Sequence, residues 1–273
     1  MITVKNIESW ENLIEELEAL EKSCGDRAEK LLYRGQSDSE WELKTTMERK
    51  LKTPVSLGRY YRFAYSAKTK IETFTDATWG DILTPQQYDK WVEHKDTLSF
   101  SPLPAYDYLA YLRHHGFPSP LLDWSASPYI AIFFAFNCCS KDIGTVALYS
   151  FLEHASVAKI RSSDQPEIYV FGPYVKVHRR HVLQQSHYTI CVELDDDYKP
   201  IYANHEQVFT KGDEGQDRLW KFNIPVTERA KVLRMLNRMN INSFSLFGSA
   251  DSLVETIATN EIIKERIITI KSS

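Results

Sequence analysis

From Tyr129 to Phe136 the chain reads YIAIFFAF, eight residues whose only polar group is the Tyr129 hydroxyl. A helix that is apolar all round has no face to give to water and must be enclosed by the rest of the fold. Eight residues are also far short of the ~20 needed to cross a bilayer, so a buried helix is expected and a membrane span is not. Pro128 suits the first helical position and Ser127 its cap. Walls for such a helix need apolar material, and the chain has it: 43% of its 273 residues are hydrophobic and 12% are aromatic. Disorder and low-complexity architectures are thereby excluded for most of the chain.

The neighbouring segments divide into helical and β-rich stretches. A short strand over Ile2 to Val4 precedes Ser9, an N-cap for a helix whose Trp10, Leu13, Ile14, Leu17 and Leu20 recur at helical spacing, ending near Ser23–Gly25. Lys30 to Arg34 reads as a strand running into a polar turn, Gly35-Gln36-Ser37-Asp38. Several helices are expected between Met47 and Lys95, and another from Asp107 to His115, stopped by Gly116 and Pro118. Strands follow at Gly144 to Phe151, Ile168 to Phe171, Tyr188 to Leu194 and Phe222 to Ile224. Helices at Thr227 to Met239 and Ser249 to Asn260, and a closing strand at Glu265 to Ile270, complete the pattern. Helices lead, strands follow and no linker intervenes, so a single α+β domain over residues 1–273 is expected. The aromatic-rich stretch from Thr53 to Leu103 is read either as a helical layer or as an inserted lid or acceptor-binding element.

With 33 Lys+Arg against 37 Asp+Glu, the net charge is −4, which counts against a protein that covers a large nucleic-acid surface but permits a local basic cleft. Cys24, Cys138, Cys139 and Cys191 form no CxxC pair and read as free thiols. The N-terminus has no signal-peptide pattern, and a cytoplasmic location is expected. Dinucleotide, Walker, nucleophile-elbow and zinc-protease patterns are all missing. His178 and His181 are three apart, but in a stretch that reads as loop or strand, and Asp195-Asp196-Asp197 reads as a solvated turn, so no metal is expected.

Two segments carry candidate chemistry. In Tyr33-Arg34-Gly35, an arginine at a strand end can offer a bidentate donor to a carboxylate or phosphate, beside a glycine that lets a backbone approach closely. Alternatively, Arg34 pairs with a structural carboxylate such as Asp123. In LLDWSASP, Asp123, Trp124 and Ser125 lie beside a helix N-terminus, which favours an anion, although Asp123 or Ser125 could equally satisfy its orphan amides.

Together these residues resemble the FRG domain. The resemblance rests on Tyr33-Arg34-Gly35, Trp41-Glu42-Leu43 and Arg49, then His114-x-Gly116-x-Pro118, Leu121-Leu122-Asp123-Trp124, and Pro128 with Ala131 and Phe134-Ala135. Weaker matches are Arg180 with Gln184 to Tyr188, and Leu246-Phe247. Ser119-Pro120 stands where the family usually has Thr-Arg, Arg113 where it has Gln, and Ser186 where it has Gly.

The FRG domain is in turn similar to the ADP-ribosyltransferase fold, which implies a split, mostly antiparallel sheet with NAD, as substrate, in the cleft. By that resemblance Arg34 would hold the diphosphate or a ribose beside Gly35, Ser125 would bond the ribose with Ser127 nearby, and Tyr33 or Trp124 would stack on the nicotinamide. His114, Asp123 and Gln184 would share the catalytic positions with Arg34. The acid expected on a later strand has no plain counterpart: Arg180 or His181 falls near its place, and Glu193 is an unaligned alternative. The resemblance implies an effector, a toxin or phage-defence protein of bacterial kind, that modifies a protein or nucleic acid and has a cognate antitoxin or immunity partner. A non-catalytic nucleotide- or nucleic-acid-binding module and an NAD glycohydrolase are the alternatives.

Overall fold

The computed structural model describes residues 2–51, 53–80, 82–94, 103–140, 142–154, 165–173, 179–210 and 217–271. Its frame is one mixed sheet built from β1 (Ile2–Asn6), β2 (Leu32–Gln36), β3 (Leu122–Ser125), β4 (Thr145–Leu152), β5 (Glu167–Phe171), β6 (Ser186–Leu194), β7 (Pro200–Tyr202) and β8 (Arg218–Pro225). The spatial order is β1-β8-β4-β2-β3-β6-β5, with β7 also on β6. Only the β1–β8 pair is parallel among these strands.

The join between β2 and β3 is a single residue pair, Tyr33 opposite Ser125. On either side of it the pairing is long: five residue pairs join β2 to β4, and four join β3 to β6. The β2–β3 join is thus the shortest in one continuous, mostly antiparallel open sheet.

The helices are α1 (Trp10–Cys24), α2 (Thr46–Lys50), α3 (Leu57–Thr75), α4 (Pro85–His94), α5 (Tyr106–His114), α6 (Pro128–Asn137), α7 (Arg179–Leu183), α8 (Gln207–Thr210), α9 (Arg229–Arg238), α10 (Ser243–Phe247) and α11 (Ala250–Lys271). The apolar segment is α6, with Pro128 in its first turn and the Ser127 hydroxyl accepting from the Ile130 amide. It sits in a core shared with Leu13 and Leu17 of α1, Val146 and Leu148 of β4, and Leu233 and Leu236 of α9. Helices α3 to α5 pack with β5, β6 and β7 over the other half of the sheet. There Tyr61 stacks on Tyr88 with ring centroids 3.9 Å apart. Most aromatics between 53 and 103 are thus core, as a packed helical layer requires, although Phe63 and Phe74 are exposed; residues 95–102 lie outside the described set.

Four readings of the sequence change. Gly35 and Gln36 are not turn but strand, paired with Leu148 and Ala147. The segment Leu122–Ser125, read as a helix approach, is strand β3. The sheet is not a late feature of the chain, because β1, β2 and β3 are interleaved with later strands. Two of the three, β1 and β2, match expected strands, whereas β3 has only four residues, too few for alternation to show. Finally, Glu265–Ile270 continues α11 instead of forming a strand. No Gly or Pro follows Gly248, and once nucleated a helix propagates through β-branched residues at small cost.

Candidate functional site

A cavity of about 320 Å³ opens where β2 and β3 part, at the small end of the ~300–1,000 Å³ usual for ligand sites. Tyr33, Arg34 and Gly35 come from β2, and Asp123, Trp124 and Ser125 from β3. Arg113 and His114 are supplied by the last turn of α5, and Ala131 and Phe134 by α6. The far wall is Arg180, Gln184, Ser186 and Phe247.

Its electrostatics centre on Asp123. Arg34 donates through Nη1 to the Asp123 backbone oxygen at 2.8 Å, and the same nitrogen lies 3.7 Å from the carboxylate. Arg113 pairs directly with that carboxylate through Nη2. The Arg34 side chain is 13% exposed. Burial lowers its guanidinium to about 10, Asp123 opposes the shift, and Arg113 and Arg49 add to it. It therefore stays charged at neutral pH. Among the described residues Asp123 is the one carboxylate lining the cavity, against the guanidiniums of Arg34, Arg113 and Arg180. The Nε atoms of Arg34 and Arg113 are buried without a hydrogen-bond partner among the described residues. An anion entering this cavity meets the guanidiniums of Arg34 and Arg113 at low solvent exposure, where attraction is least screened.

Glycine at position 35 is dictated by the helix behind it. A Cβ there would lie 1.9 Å from the Ala131 carbonyl oxygen and 2.7 Å from the Ala135 amide nitrogen. The closely approaching backbone is that of α6, not a ligand's. Alternation along β2 then puts Arg34 on the opposite face from Tyr33 and Gly35.

The other expected residues separate. Ser125 faces the cavity, its hydroxyl donating to the Gln184 carbonyl at 2.9 Å and accepting from the Ser127 amide at 3.1 Å. Gln184 is present too, its amide donating to the Leu246 carbonyl at 3.2 Å. His114 Nε2 lies 2.6 Å from the Tyr188 hydroxyl. Ser127 is spent as the α6 cap. Trp124 offers no open ring: it is 3% exposed, packs on Phe151 and donates its indole N–H to Thr189 at 2.8 Å. Tyr33 is equally buried, in the core beneath α6. The half-buried rings at the cavity are Phe134 and Phe247, in edge contact at 5.9 Å, with the Arg180 guanidinium 5.2 Å from the Phe247 centroid. Sequence reasoning missed these as site residues; Phe134 looked like part of the apolar helix, and Phe247 lies over a hundred residues from the main motifs. Glu193 pairs with Ile201 of β7 and does not line the cavity. His178, half of the weak metal pair, lies outside the described residues.

The family model described as the FRG domain matches residues 29–142. This segment is an FRG domain. It contains β2, α2 to α5, β3 and α6, and so brings Arg34, Arg113, His114, Asp123 and Ser125 into one cavity. Arg180, Gln184, Ser186 and Phe247, which complete the wall, come from beyond the matched FRG segment. No curated protein and no solved structure matches the chain.

Proposed function

We propose that the FRG cavity binds NAD as a substrate and that the chain is an ADP-ribosyltransferase-like enzyme. The observation that carries this reading is the convergence of Arg34 and Arg113 on Asp123 where β2 meets β3, with Arg180 across the cavity. Guanidiniums in that arrangement suit a diphosphate, which accepts paired N–H donors. Ser125, whose hydroxyl keeps one acceptor position beside its bonds to Gln184 and Ser127, would accept from a ribose hydroxyl, and Phe134 and Phe247 offer apolar surface to a ring. Breaking the nicotinamide–ribose bond builds positive charge on the ribose, which a carboxylate stabilises. Asp123 is the carboxylate available among the described lining residues. A diphosphate would compete for its two guanidiniums and leave it free to act.

A second reading is binding without turnover. It is favoured by the engagement of Asp123 by Arg113 and Arg34, and by a neutral Gln184 at the far wall. In the wider proposal the chain is a cytoplasmic effector of bacterial conflict or phage defence, acting on a protein or nucleic acid and checked by a cognate antitoxin or immunity partner. The family resemblance supports that role. Among the described residues no helix is long and apolar enough to cross a membrane.

Incubation with adenylate-labelled NAD in a lysate separates the readings. Nicotinamide release with label on a macromolecule supports transfer, and release with free ADP-ribose indicates a glycohydrolase. NAD binding with neither product indicates a binding module, and absence of binding overturns the proposal.

A further inference from the structure

Behind the cavity, His114, Tyr188 and His181 form a continuous hydrogen-bonded chain. His114 Nε2 is 2.6 Å from the Tyr188 hydroxyl, which is 3.2 Å from His181 Nδ1; His181 Nε2 is 3.1 Å from the Pro173 carbonyl oxygen. Tyr188 is fully buried on β6, and His181 on α7 is 2% exposed, its ring stacked on the phenol at 14°. In its neutral form each ring has one N–H and one lone-pair nitrogen. The direction of every bond then follows from one carbonyl. Pro173 oxygen can only accept, so His181 carries its proton on Nε2 and presents a lone pair at Nδ1. The phenol has one proton, which goes to that lone pair. His114 Nε2 must therefore donate to the phenol oxygen, and the lone pair of the His114 ring falls on Nδ1. Burial keeps the phenol protonated by raising its pKa, and Asp123 acts in the same direction.

We propose that Tyr188 and His181 are positioning residues that lock His114 in the Nε2–H tautomer, making Nδ1 the nitrogen that takes or delivers a proton at the cavity. Use of that nitrogen in chemistry rests on the function proposed above; the tautomer itself does not. Among the described residues, the charged and titratable groups near this chain include Arg113 and Tyr106 from α5, Asp123 from β3, Arg180 from α7 and His187 from β6. The three bonds themselves are made by His114, Tyr188, His181 and Pro173.

The test is ring-nitrogen NMR on the full chain labelled with ¹⁵N-histidine at pH 8, with His114→Gln to assign the signal. The wild-type protein should show His114 with a pyrrole-like Nε2 and a pyridine-like Nδ1. In Tyr188→Phe, which preserves the ring, the His114 signals should move to those of a tautomer mixture. A wild-type His114 protonated on Nδ1, or signals unmoved by Tyr188→Phe, would overturn the proposal. The wild-type spectrum decides even if the variant does not fold. Nicotinamide release measured against pH on the same samples should show a displaced profile in Tyr188→Phe. An unmoved profile beside altered spectra would show that the tautomer plays no part in turnover and would overturn the assigned use of Nδ1. No release from either protein counts against the NAD reading, while the spectra still decide the lock.

Discussion

At the scale of single residues, the Tyr33-Arg34-Gly35 motif divides its labour between two faces of one strand. Gly35→Ala drives a Cβ into backbone atoms of α6 that cannot rotate away; overpacking of this kind should cost at least about 3 kcal/mol in urea unfolding. Arg34→Ala leaves that packing intact and removes a charged donor from the cavity. It should weaken binding of inorganic pyrophosphate on the order of 10- to 100-fold by calorimetry, and Arg34→Lys should not restore it fully. Asp123→Asn frees Arg113 and Arg34 from their internal anion. Pyrophosphate should then bind several-fold tighter while nicotinamide release is lost; weaker binding would show that Asp123 organises the arginines instead of competing for them. His205 supplies a pH handle. It is fully buried, 2.9 Å from the Thr189 hydroxyl, and burial together with Arg34 pushes its imidazole down to about 3. The unfolded chain takes up this proton near pH 6.5 and the folded chain does not. Its contribution to stability is present above pH 6.5 and is lost as pH falls towards 3, at up to about 1.4 kcal/mol per pH unit. Urea unfolding against pH should show that slope, reduced in His205→Gln.

At the scale of elements, α6 organises both the core and the cavity. Its Ser127 cap satisfies an amide at the very end that abuts Ser125. Ser127→Ala should lower stability by about 1 kcal/mol with pyrophosphate affinity unchanged, which would separate the cap from the site. The elements legible in the sequence are those with a long periodic or apolar signature. Helix α1 announces itself by Leu13, Leu17 and Leu20 behind a serine cap, and α6 by having no polar face. Strand β3 is four residues long, and its Trp124 and Asp123 go to opposite faces, so its chemistry is visible but its conformation is not. The reach of α11 past Asn260 was hidden because isoleucines and a threonine suit either state.

At the scale of the whole molecule, the cavity depends on contacts that no local pattern encodes. Arg34 and Asp123 meet across 89 residues, and Gln184 reaches Leu246 across 62. Motif order made the first pair a reasonable expectation; which rings would stay open, and that Trp124 would not, depended on the packing of Trp124 on Phe151 and its bond to Thr189. The −4 charge of the chain also hides the locally positive site formed by Arg34, Arg113 and Arg180. Calorimetric titration of NAD into the wild-type chain and into Arg34→Ala, with folding checked by circular dichroism, tests the central claim most directly. Saturable binding by the wild-type protein, lost or weakened at least tenfold in Arg34→Ala, is expected. No binding by the folded wild-type chain, or equal binding by both, would contradict it.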